Sequence, residues 1–200
     1  MNKKINISII GTRGYPYVYS GYETFVKQLS ERLVLKDCNV TVYCHKGLFE
    51  TRPKEIKGIK LVYVPTIETK ILSQPIHSFL SIIHACFSNT GLLLVVNSAN
   101  GPFGIITKLF RIPTAINVDG LEWLRPKWKG LGSIYFKWAS KMATLFYDQI
   151  INDSDEMRKI YLNLFKRDSK VIAYGANIRK SESPELINKW NLKLREYYLV

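Results

Sequence analysis

The chain is expected to fold as an α/β protein on a Rossmann-like, doubly wound, mainly parallel sheet, and three observations point there. Short aliphatic and β-branched runs alternate with stretches of helical periodicity. Several of those runs are almost continuously apolar, as strands covered on both faces must be. Loops rich in Gly, Asn and Ser follow them, where an open parallel sheet presents its ligand crevices.

The first strand is expected over residues 5–10. After a loop, Tyr22, Phe25, Val26, Leu29 and Leu33 recur at helix spacing. Residues 39–44 and 59–64 read as the next strands, and 76–87 as a helix. A buried strand follows over 92–97, a short helix over 103–110 and a strand over 114–118. The spacing then predicts a long helix over 133–147, a strand over 149–152, a helix over 154–165 and a last strand over 170–173. Seven strands joined mostly by helices imply right-handed crossovers and one sheet. Beyond Tyr174-Gly175-Ala176 lie a polar stretch, a short helical piece ending at Trp190, and a β-type run over 192–200. That run reads as the first strand of a further domain, so residues 1–178 form one Rossmann-like domain and 179–200 a linker entering the next.

Composition narrows the function classes. A chain of 200 residues with 46% hydrophobic content can bury a self-sufficient core. Cys38, Cys44 and Cys86 are odd in number and lack C-x-x-C spacing, which suits reduced core thiols of a cytoplasmic protein. The net charge of +13 divides into +6 and +7 between the two halves, with no basic tail, so a nucleic-acid partner is not expected. The aliphatic run from Ile5 meets Gly11-Thr12-Arg13 too soon for a signal sequence, and no run approaches the roughly 20 residues of a spanning helix. Membrane contact is therefore expected to be peripheral.

Candidate chemistry sits in the loops after the strands. Gly11-Thr12-Arg13-Gly14, with a helix opening near Ser20-Gly21, lets backbone approach an anion at a helix N-terminus. A dinucleotide site is disfavoured, because the loop is not G-x-G-x-x-G and the second strand ends at Cys44-His45 without an acid. The alternative is a glycine turn serving geometry alone. Asn97-Ser98-Ala99-Asn100-Gly101-Pro102 gathers amides at a helix start, where Asn100 could act as the cap. Asp119 and Glu122, followed by Trp123, Arg125, Lys127 and Trp128, suit a hydroxylated ligand, or equally a capped and salt-bridged loop. No metal site is expected, since His45, His77 and His84 fall in different elements and His77 and His84 suit packing. From Trp123 to Tyr147 five cations interleave with aromatic rings and no acid follows Glu122. That pattern fits an anionic lipid surface, or a helix with its rings, including Tyr135, Trp138 and Met142, in the core and its lysines in solvent.

Taken together, Gly11-Thr12-Arg13-Gly14 with Gly21-Tyr22-Glu23-Thr24, the stretch from Asn97 to Phe103, Asn117-Val118-Asp119-Gly120-Leu121-Glu122-Trp123 with Arg125 and Lys127-Trp128, and Val171-Ile172-Ala173-Tyr174-Gly175-Ala176 resemble the amino-terminal half of family 4 GT-B glycosyltransferases. The resemblance runs through nearly the whole chain, in order, and is to the rhamnosyltransferase-like, DUF1972-type subgroup. It departs at Ser20-Gly21, where many relatives carry paired glycines, and the family's second domain with its pair of donor-site glutamates lies outside this sequence. The resemblance implies retaining transfer of a sugar such as rhamnose from a nucleotide sugar to a lipid-linked or polysaccharide acceptor, with no cofactor and no required metal. By it, Gly11, Thr12, Arg13, Gly14 and Gly21 would line the cleft near the donor phosphates, and Asp119 and Glu122 would be catalytic. Asn97, Asn100, Trp123, Arg125 and Lys127 would receive the acceptor, and Tyr174-Gly175 would begin the interdomain hinge. The expected partners are a nucleotide sugar, a lipid-linked glycan, an anionic membrane at its inner face, and a separate C-terminal donor domain. Without that domain the chain is expected to transfer sugar poorly or not at all. The competing expectation is a non-catalytic glycan- or membrane-binding module, or a subunit of a split transferase.

Overall fold

A computed structural model of the chain describes residues 4–17, 20–67, 69, 72–176, 183–193 and 195–198. Its strands are β1 (Asn6–Ile10), β2 (Asn39–His45), β3 (Glu55–Ile56), β4 (Ile59–Val64), β5 (Leu92–Val96), β6 (Thr114–Asn117), β7 (Gln149–Asn152) and β8 (Lys170–Val171). They form one sheet in the order β3-β4-β2-β1-β5-β6-β7-β8. Every neighbouring pair is parallel except β3 with β4. The helices are α1 (Gly21–Leu35), α2 (Ser73–Cys86), α3 (Gly104–Leu109), α4 (Leu131–Phe146) and α5 (Asp155–Phe165).

The expected doubly wound α/β sheet is what the chain forms, with four local differences. The strand β3 was not anticipated; it pairs Ile56 with Ile59 across Lys57 and Gly58, whose φ angles of 50° and 76° make the tight turn a two-residue hairpin needs. Helix α2 begins at Ser73, three residues earlier than expected, because Pro75 lies in its first turn, where no backbone donor is lost. The helix expected over 103–110 is the short α3, and a 3₁₀ segment, Ser98–Phe103, runs directly into it. The β-type run after Trp190 carries no strand at residues 192, 193 and 195–198, where Asn191 and Arg195 turn the chain through φ of 53° and 67°. Its remaining residues, 194, 199 and 200, lie outside the described residues, as do 177–182 at the expected domain boundary.

The chain moves from β1 to β2 through α1, and in the opposite direction from β4 to β8 through α2, α3, α4 and α5. Crossovers of one hand then put α1 on one face and the other helices on the other. The core divides accordingly. Ile7, Ile9, Val40, Val42, Leu94 and Val96 pack with Val26 of α1. Ile10, Tyr43, Leu93, Val95 and Ile116 pack with Ile82, Phe136, Ala143 and Tyr161 of the opposite layer. This period-two division is why β5 contains no polar residue, and each fully buried aliphatic side chain contributes about 1.5–3 kcal/mol.

Helix α4 buries Phe136, Ala139, Ser140, Ala143 and Thr144. Tyr135 is partly buried with its hydroxyl donating to Ala99 O at 2.9 Å, while Trp138 stays 48% exposed. The core face is thus rotated from the one that Tyr135, Trp138 and Met142 would define. It is set by Gly101, at which a Cβ would stand 1.9 Å from Ala139 O, so the 3₁₀ segment lies directly on the α4 backbone.

Candidate functional site at the carboxyl edge of the sheet

The loops after β1 and β6, the start of α1 and the tail of β8 meet at the carboxyl ends of the central strands. Gly11 has φ of 108°, and a Cβ there would stand 2.3 Å from Val96 O, so the loop after β1 turns hard against the end of β5. The loop's anion-binding position is filled from within. Glu23 is 4% exposed, and its carboxylate accepts from the Arg13 N–H at 3.1 Å and the Ser20 N–H at 3.0 Å, and also pairs with the Ser20 hydroxyl. A carboxylate at the N-terminus of α1 accepts from free N–H groups and is favoured by the positive end of the helix dipole. Ser20 and Glu23 stand at the S-x-x-E spacing of a capping box, the sequence signal by which Glu23 could have been found. Among the described residues, the buried Thr12 hydroxyl has no hydrogen-bond partner and nothing stands within 4 Å of where a Cβ on Gly21 would be.

Asp119 is the centre of the arrangement. One carboxylate oxygen takes the hydroxyl of Tyr22, from the first turn of α1. The other takes the hydroxyl of Tyr174 at 3.0 Å, and Tyr174 also reaches Asn117 Oδ1 at 2.9 Å. The Tyr174 ring packs edge-on to Phe25 at 5.1 Å. Two chain segments distant in sequence are thereby tied to the carboxylate of a third. Burial and then the negative charge of Asp119 hold both tyrosine hydroxyls well above their ordinary ionisation range, so they are donors at neutral pH. Sequence reasoning passed over Tyr22 as a site residue and took Tyr174 only as a hinge; no local spacing announces contacts 97 and 55 residues apart.

Glu122 is also placed by its neighbours. Its side chain is 7% exposed and bonds Arg125 Nε at 2.9 Å, with Lys127 Nζ at 4.0 Å. The Trp128 indole N–H donates to it at 3.0 Å. So engaged, Glu122 fixes a cationic rim: Arg125 and Lys127 are exposed by 52% and 61%. Of the other expected ligand residues, Trp123 is buried, with its ring against Tyr161 and Phe165. Asn100 is buried too and donates to Val96 O at 2.8 Å, while its carbonyl accepts from Tyr147. The cap belongs instead to Asn97, whose side chain accepts from Ala99 N at 2.9 Å and whose φ is 75°. Trp123 and Asn100 therefore build the floor, and Asp119, Arg125, Lys127 and Asn97 remain at the surface. Gly175 lies beside Tyr174 with open space at its Cβ position.

His45 and His77, both fully buried, stack at 3.9 Å behind the loop after β1. Burial lowers the His77 imidazole to about 3, so it is neutral. A shallow groove of about 430 Å³ runs from Leu121 and Leu124 past Lys137 to Leu164. A polar cavity of about 300 Å³, lined by Asn6, Thr41, Lys60, His84 and Thr90, lies at the amino ends of β1, β2 and β4, away from Asp119. Among the described residues, no three His, Cys, Asp or Glu side chains are grouped so as to hold a metal ion, and no helix is long and apolar enough to cross a membrane.

Solved structures share this architecture. Sucrose-phosphate synthase from Thermosynechococcus elongatus matches with a TM-score of 0.71 at 15% identity, over 95% of this chain and 53% of that one. UGT89C1 of Arabidopsis thaliana, complexed with UDP-L-rhamnose, matches at 0.52 and 13% identity, over 95% of this chain and 55% of that one. A UDP-glucosyltransferase from Polygonum tinctorium capable of glucosylating indoxyl matches at 0.53 and 11% identity, over 96% and 57%. The chain spans little more than half of each of these proteins, and its fold is that of one half of a GT-B glycosyltransferase. No curated protein matches it in sequence. Residues 4–177 match the family described as a domain of unknown function, DUF1972, and the chain belongs to that family.

Proposed function

We propose that residues 1–178 are the acceptor-side half of a family 4, rhamnosyltransferase-like glycosyltransferase. The enzyme moves a sugar, such as rhamnose, from a nucleotide sugar to a lipid-linked or polysaccharide acceptor at the inner face of a membrane, with retention of configuration. Residues 179–200 lead toward a C-terminal donor domain that completes the cleft. The observation that carries this reading is Asp119, a carboxylate at the carboxyl edge of a parallel strand, oriented by two tyrosine hydroxyls beside a glycine loop.

In this reading Asp119 accepts the proton of the acceptor hydroxyl as its oxygen bonds to the anomeric carbon and the nucleotide phosphate leaves with the electrons of the broken C–O bond, and Tyr22 and Tyr174 orient Asp119. Arg125 and Lys127 face the charged part of donor or acceptor, and Glu122 acts by holding them. Glu23 takes the loop N–H groups of Arg13 and Ser20, so donor phosphates meet the Gly11–Gly14 loop through contacts other than these two. The test is a transfer assay over a panel of nucleotide sugars with lipid-linked acceptors, run with the chain alone and with the donor domain supplied. Turnover of one donor with the domain, and little without it, is the expected result. Turnover of none by the completed protein contradicts the reading and favours a binding module.

A further inference from the structure

Helices α2, α3 and α4 lie side by side on one face of the sheet, with α3 in contact with both of the others. The outward surface of this layer departs from an ordinary solvated one in two ways. The chain has 16 acidic residues, yet none falls in these three helices; between residues 72 and 146 the acids are Asp119 and Glu122, both in the site loop. The remaining helices, α1 and α5, carry Glu23, Glu31, Asp155 and Glu156. The same acid-free layer exposes large apolar side chains: Phe79 is 41% exposed, Leu109 77%, Phe110 45%, Ile134 66%, Trp138 48% and Leu145 51%. Ile134, Trp138 and Leu145 follow one stripe of α4, opposite the buried Phe136, Ala139 and Ala143. Exposed Lys108, Lys137 and Lys141 stand among them, with Lys108 bonded to Leu145 O at 3.2 Å.

We infer that this α2–α3–α4 layer docks on an anionic lipid bilayer. The occupant follows from charge and shape together. A face with only positive charge complements a negative partner, and apolar rings and aliphatic chains spread over three helices match an interface in which rings enter the acyl boundary while lysines reach the headgroups. The groove of about 430 Å³ between Leu124, Lys137 and Leu164 runs from this layer to Leu121, two residues from Asp119. Docking thus sets the Lys137 end of that groove against the bilayer surface. Its purpose rests on the acceptor reading above, but vesicle binding is measured without any transfer.

The experiment is co-sedimentation of the chain with vesicles of phosphatidylcholine containing about 30% phosphatidylglycerol, against vesicles of phosphatidylcholine alone. Binding to the anionic vesicles, reduced by added salt and weak on the neutral ones, is expected. The double variant K137Q/K141Q lowers the affinity about 30-fold, in line with the usual contribution of two basic residues near such a surface. The variant I134S/W138S, changed only at exposed positions, lowers it at least about 10-fold with an unaltered urea midpoint. Absence of binding, equal binding to neutral vesicles, or retention of full affinity in both variants would overturn the inference. So would a dimer in sedimentation velocity that I134S/W138S dissolves, since the face would then join two copies of the chain.

Discussion

Asp119 is held from two sides, and the two tyrosines differ in how they are anchored. Tyr22 belongs to the first turn of α1, whereas Tyr174 lies in irregular chain after β8 and is 41% exposed. Its hydroxyl bonds to Asp119 and Asn117 help fix residues 172–176 to the sheet edge, together with the Ile172 N–H bond to Asn152 O and the ring contact with Phe25. A hydrogen bond to a charged acceptor contributes about 1.5–3 kcal/mol, so Tyr174→Phe should lower stability by about 2 kcal/mol. Urea denaturation checks the size, and hydrogen exchange over 172–176 checks the place; an unchanged midpoint would show that these bonds hold nothing. Glu122 teaches the complementary lesson. The sequence marks it as a candidate acid, but its bonds to Arg125 and the Trp128 indole depend on how the loop folds back and carry no local signal.

At the scale of elements, legibility followed the hydrophobic pattern. The run at β5 was readable because a strand covered on both faces has to be apolar throughout, and α5 because Ser154 caps it and its apolar spacing is regular. The pattern misled where packing outweighed local periodicity. In α4 the sequence offers two apolar faces, and the contact of Gly101 with the α4 backbone decides which is buried. A Cβ at Gly101 would stand 1.9 Å from Ala139 O and 2.8 Å from Ala143 N, and helix backbone does not yield as a flexible side chain does. Gly101→Ala should therefore destabilise the fold by about 3 kcal/mol or more, at the upper end of overpacking costs. Thermal or urea unfolding measures it; wild-type stability in that variant would mean that α4 does not rest on the 3₁₀ segment.

For the molecule as a whole, the buried titratable groups set a pH window. His77 is lowered from 6.5 to about 3 by burial, so below 6.5 the unfolded chain binds the proton that the folded one refuses. The stability this group confers is complete above 6.5 and is lost as pH falls toward 3, at about 1.4 kcal/mol per pH unit. On the alkaline side, burial raises Tyr43 and Tyr161 from 10.0 to about 12, so stability falls as pH rises through that interval. Urea midpoints across pH should give a plateau between about 6.5 and 9, since burial also raises the Cys44 thiol from 9.0 to about 12, and His77→Gln should flatten the acid limb; an acid limb of unchanged slope would remove His77 from the account. The stacking of His45 on His77, like the clamp on Asp119, joins residues that only the sheet order brings together, which is why the sequence disclosed the loops but not their contacts.

The proposed role of this chain rests on Asp119, and the measurement that addresses it most directly is sugar transfer by the chain supplied with a donor domain, wild type against Asp119→Asn. Loss of about 100-fold or more in kcat, with an unchanged circular dichroism spectrum and wild-type binding to anionic vesicles, is the predicted result. Transfer at the wild-type rate by the Asp119→Asn protein would contradict it.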